Sequence, residues 1–92
     1  LTALRPPRPN PFTASTELSF DTPGNGRRVV IRVCDVAGRL VRTLYDGRPP
    51  AGRHSVGWDG RAESGVPVAS GVYLVNLDSG GFRRTRKVVR LR

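Results

Sequence analysis

"GWDGRAESGVPVASGVYLV", residues Gly57 to Val75, decides how the chain is read. It holds the only tryptophan, Trp58, then Asp59 and Gly60, then a loop that passes Gly65 before an apolar run resumes. On the far side of the loop Tyr73, Val75 and Leu77 alternate with Val72, Leu74 and Asn76, the period of a strand with one buried face. On the near side His54, Val56 and Trp58 alternate with Arg53, Ser55 and Gly57. The stretch therefore reads as two strands and a corner, with Trp58 as the largest core side chain rather than an exposed platform. Asp59 precedes Gly60 where a carboxylate can accept backbone N–H bonds and end the strand. Its spacing to Glu63 would suit a helix face, but Gly60 and Gly65 bracket a loop. Corner-making is preferred over calcium ligation and over a carboxylate pair for acid–base chemistry.

The same period extends in both directions. Thr16, Leu18 and Phe20 alternate with Ser15, Glu17 and Ser19, and "TPGNG" then supplies turn formers. Val29, Ile31 and Val33 share one face of a strand that ends at "DVAGR", where Asp35 can bind backbone N–H groups and Gly38 can take the left-handed position. The return strand, "RLVRTLYDG", cannot place Leu40, Val41 and Leu44 on one face, which predicts a bulge. After "DSGG" the last strand carries Val89 and Leu91 on one face, Val88 and Arg90 on the other. Six strands are clear and a short seventh is expected at Asn10 to Phe12. Turns this short join antiparallel strands, and two facing sheets are needed to cover the apolar faces.

Composition sets further bounds. Ninety-two residues make one small domain with one modest core. "LTALRPPRPNP" favours extended chain, so residues 1–9 are expected as a Pro-rich linker or extended N-terminal segment and 10–92 as the domain. No stretch approaches the ~20 apolar residues of a membrane span. The net charge of +9 comes from 15 Arg and one Lys against seven acids. A cationic balance raises nucleic acid or an anionic glycan as partner. The arginines are nevertheless dispersed, except at Arg27–Arg28 and in the tail from Arg83, and a general bias toward Arg accounts for the skew.

The chemical inventory is short. Cys34 is the sole cysteine and reads as a small apolar group in a strand. His54 lies in a different segment, so no base is placed beside that thiol. Ser70 lies in "ASGVY", which is no nucleophile elbow, and the glycines at 24, 26, 80 and 81 precede no helix. No catalytic residue, metal or cofactor is expected.

Taken together, "PNPF" at 9–12, "VCDVAGRLVRTL" at 33–44, "AGRHSVGWDGRAESGVPVASGVYLVNL" at 51–77 and "KVVRL" at 87–91 resemble the Ig-like domain named after the flagellar hook-capping protein (FlgD-like). They are also similar to the C-terminal sorting domains of type IX secretion substrates. The resemblance implies an all-β, Ig-like or fibronectin-like antiparallel β-sandwich of six or seven strands without catalytic residues. It assigns structural roles to Phe12, Asp35, Gly38, Trp58, Asp59, Gly60, Gly71 and Tyr73. Cys34 stands where the family usually has an aromatic residue, and "NPFTAST" replaces the commoner "NPFNPST".

The expected function is that of a non-catalytic C-terminal domain of a secreted or cell-surface bacterial protein, acting in secretion targeting, surface attachment or assembly. The ending "RKVVRLR" has the look of a domain's last strand. A structural protomer of an extracellular filament or hook-cap-like assembly is the first alternative, and a carbohydrate- or anion-binding module the second. Expected partners are an upstream domain, secretion machinery or neighbouring protomers, with oligomerisation through edge strands or the N-terminal segment, and no specific nucleic acid. Arg86, Lys87, Arg90 and Arg92 are the candidate partner-binding residues.

Overall fold

The computed structural model describes residues 1–91. Seven strands run in order: β1 (Ala3–Leu4), β2 (Thr16–Thr22), β3 (Val29–Asp35), β4 (Leu40–Gly47), β5 (Gly52–Trp58), β6 (Gly71–Ser79) and β7 (Phe82–Arg90). They form a three-stranded sheet, β1-β2-β5, and a four-stranded sheet, β4-β3-β6-β7, with every strand pair antiparallel. The alternations seen in the sequence fall as expected. Leu18 and Phe20, Val29, Ile31 and Val33, Tyr73, Val75 and Leu77, and Val88 all fill the space between the layers. Trp58 closes one end of this core, with its ring 5.4 Å from those of both Phe12 and Tyr73. Phe20 fills the other end, 5.6 Å from Tyr45 and 5.4 Å from His54.

The predicted irregularity in β4 is present: the β3–β4 register shifts twice, between Ile31 and Arg32 and between Val33 and Cys34. The shifts let both Val41 and Leu44 pack on the core while Leu40 stays on the outer face, 58% exposed.

The seventh strand lies elsewhere than expected. It is Ala3–Leu4, paired with Phe20 and Asp21, and Leu4 is fully buried. Phe12 makes only an isolated parallel bridge to Arg90. Prolines at 6, 7, 9 and 11 supply no N–H donor, so the ladder that β1 begins cannot run on to Phe12. Between them the segment still touches β2, through Arg5 N–H to Ser19 O and a two-way backbone exchange between Arg8 and Glu17. Residues 1–12 thus form a strap along β2 that then crosses to β7.

Candidate functional site

The corner after Trp58 is built from its own side chains. The indole N–H donates to Arg61 O at 2.9 Å. Asp59 Oδ1 accepts from Arg61 N at 3.1 Å and from the Arg42 guanidinium at 2.9 Å. Gly60 sits at φ +74°, and a Cβ there would fall 2.2 Å from Arg90 Nε, so that guanidinium lies directly over the glycine. Glu63 turns away to β4, where its N–H donates to Val41 O at 3.0 Å and its Oε1 accepts from Thr43 N at 3.1 Å. Both carboxylates are therefore engaged by the fold, on different partners.

The remaining structural candidates have similar occupations. Asp35 accepts from the N–H groups of Ala37 and Arg39 and from Arg39 Nε, which closes the β3–β4 turn, while Gly38 takes φ +87°. The Arg39 N–H, the Arg39 guanidinium and the Ala37 N–H hold the Asp35 carboxyl below its ordinary value of 3.8. Tyr73 is buried and its hydroxyl donates to Ala69 O at 2.6 Å. Gly71 opens β6 opposite Arg90. His54 stacks on Phe20 and donates from Nε2 to Pro50 O. Cys34 is half-buried, 3.7 Å from Asn76 Nδ2.

Of the candidate partner-binding residues, Arg86, Lys87 and Arg90 do not form one patch. Arg86 and Arg90 lie on the same side of β7 as buried Val88, and each donates inward, Arg86 to Leu4 O at 2.8 Å and Arg90 to Val68 O at 3.2 Å. Lys87 faces the opposite way. Arg92 lies outside the described residues. Elsewhere Arg5, Arg28, Arg39, Arg42, Arg53, Arg61 and Arg83 form ion pairs with aspartates. Most of the cationic surface thus serves to tie strands and turns together.

What remains open for interaction is decided at the strand edges, where unpaired backbone groups can template another chain. Glu63 plugs the edge of β4 around Val41–Thr43. Asn10 does the same for β7: its Nδ2 donates to Lys87 O at 3.1 Å and its Oδ1 accepts from Val89 N at 2.9 Å. Phe12 completes that closure through its own N–H to Val89 O and through Leu91 N to its carbonyl. The strap covers β2. Among the described residues, the outer edge of β5 meets no strand, strap or plug anywhere along its length. Neither Asn10 nor Glu63 was singled out for this role in the sequence, because each lies in a loop without periodicity and far along the chain from the edge it closes.

These features define an Ig-like β-sandwich module, with polar side chains directed at its own backbone. The chain belongs to the FlgD Ig-like domain family, whose profile matches residues 9–81. It is 32% identical over 65 residues to the basal-body rod modification protein FlgD of Salmonella typhimurium and, equally, of Salmonella typhi. The match takes in 71% of this chain but 28% of those relatives' length. Among solved structures, the dimeric latent PorU of Porphyromonas gingivalis superposes with a TM-score of 0.71 at 25% identity, over 98% of this chain and 9% of PorU. PorZ of the same organism, an essential bacterial surface component of its type IX secretion system, shares the fold with a TM-score of 0.59 at 21% identity, over 99% of this chain and 11% of PorZ.

Proposed function

We propose that this chain is a non-catalytic module of a larger secreted or cell-surface bacterial protein, acting in secretion targeting, surface attachment or assembly. The observation that carries the reading is family membership joined to size: the domain corresponds to 28% of the FlgD relatives, 9% of PorU and 11% of PorZ. The engagement of Asp35, Asp59 and Glu63 in turns and edges supports a module without chemistry of its own. The likeness in fold to a surface component of a secretion system supports an extracellular or cell-surface setting. Its partners are then an upstream domain, export machinery or neighbouring protomers, met through strand edges or the N-terminal strap.

A reporter enzyme with a signal peptide in front and this chain behind tests the export reading in a bacterium with a type IX system. The reporter is expected at the surface or in the medium, and in the periplasm when the system is inactivated or the chain is removed. Equal release with and without the chain overturns it. The identity to a rod modification protein favours assembly as a second reading. Ordered polymers seen by electron microscopy of the concentrated chain would support that reading, and only isolated particles would oppose it.

A further inference from the structure

The backbone bonding of β2 fixes which groups of β5 are unpaired. Glu17 exchanges bonds with Arg8, and Ser19 O accepts from Arg5, so the odd-numbered residues of β2 address the strap. In an antiparallel ladder the even-numbered ones, Thr16, Leu18, Phe20 and Thr22, then bond their partners Trp58, Val56, His54 and Gly52. Arg53, Ser55 and Gly57 are left with N–H and C=O groups directed away from the sheet, and no group of the described residues meets them.

We propose that β5 is a self-association edge, through which two copies of this chain pair antiparallel about a two-fold axis at Ser55. In that register Arg53 lies opposite the partner's Gly57 and Ser55 opposite the partner's Ser55. The residues that meet are the ones with outward groups, so each pair exchanges two N–H···O bonds, and two three-stranded sheets become one of six strands. The side chains on this face fit the same register. Gly57 has Glu17 as its neighbour in β2, so Arg53 reaches over the partner's Gly57, where no side chain intervenes, to the partner's Glu17. At about 4.8 Å per strand the two Cα atoms are ~10 Å apart, within the combined reach of Arg and Glu. Glu17 is exposed, and among the described residues its carboxylate has no ion-pair or hydrogen-bond partner. Arg53 is 62% exposed and is steadied from its own side by Asp21 at 3.1 Å. The two copies of Arg53 stand four residues apart along the ladder, roughly 14 Å, beyond the ~8 Å screening length at physiological salt. It is this Arg53–Gly57–Glu17 row, matched to itself, that selects a second copy over an unrelated strand. The net charge of +9 opposes association, so the dimer is weak and favoured by salt.

The inference stands on edge geometry and is independent of the export reading. Sedimentation equilibrium in about 0.3 M sodium chloride, where net repulsion is screened, tests it from about 10 μM to about 1 mM chain. The mass is expected to rise toward the dimer. Ser55→Pro removes an N–H that the monomer does not use, so the fold is expected to persist by circular dichroism while association weakens about tenfold or more. Glu17→Lys, which leaves the backbone untouched, is expected to weaken it several-fold and carries the test should the proline variant misfold. A monomer at every concentration overturns the proposal. So does a dimer indifferent to both substitutions, or one lost instead on Leu40→Ser, a change at an exposed apolar side chain of β4.

Discussion

At the scale of single residues, polar side chains here complete the backbone. Asp35, Asp59, Glu63 and Asn10 each satisfy N–H groups that a turn or an edge would leave bare, which is the condition for burying or tightly folding a chain this short. Trp58 is the apolar counterpart, ordered by Phe12 and Tyr73 on either side and by Arg61 O at its indole nitrogen. Trp58→Ala is expected to lower unfolding stability by about 3–5 kcal/mol, measured by urea titration, because a cavity between two sheets cannot collapse on one side alone. The burial of Trp58 and the turn role of Asp35 were legible in the sequence, since both follow from local alternation and turn chemistry. The inward direction of Arg86 and Arg90 was not. Strand period shows that they share a face with Val88, but only the tertiary placement of Leu4 O in the strap and of Val68 O in the loop before β6 shows why charged residues can lie there.

At the scale of elements, β2 to β7 could be read from period two and glycine-rich turns, and the bulged return strand from the crowding of Leu40, Val41 and Leu44. The strand that escaped notice, β1, has two residues, too few to display any period, and its pairing with β2 spans a proline-rich run. The edge closures escaped for a related reason: Asn10 meets β7 across a separation of 77 to 79 residues. Amide hydrogen exchange in dilute solution checks this account. Arg53, Ser55 and Gly57 are expected to exchange rapidly and His54, Val56 and Trp58 slowly, in strict alternation. Asn10→Ala is expected to speed exchange at Val89 while leaving β3 unchanged. Equal protection along β5 would contradict the assignment of its outward groups.

At the scale of the whole molecule, aspartates paired with arginine bind the periphery and set the response to acid. The Arg53 and Arg5 guanidiniums beside Asp21, Arg28 beside Asp46 and Arg83 beside Asp78 hold these carboxyls below their ordinary value of 3.8, as the turn does for Asp35. A carboxyl with a lowered folded pKa contributes stability that is complete above the unfolded value and is lost as pH falls through the folded one. The melting temperature is therefore expected to fall below about pH 4, with these groups contributing no slope between about pH 5 and 7. The strap is an equal partner in stability. Deleting residues 1–8 removes buried Leu4 and the bonds to Ser19 and Glu17, with an expected loss of about 2–3 kcal/mol, whereas a free linker would cost nothing. The direction of the strap has a mechanical consequence. Along the strap Leu4 meets Arg86 and Phe12 meets Arg90, so residues 1 and 91 leave at opposite ends and opposed pulling draws β1 lengthwise along β2. Phe12 runs parallel to β7, and opposed pulling from residue 1 and residue 91 loads its two backbone bonds and the two from Asn10 together, in shear. The domain therefore resists such a load along the whole strap instead of unzipping from its first residue.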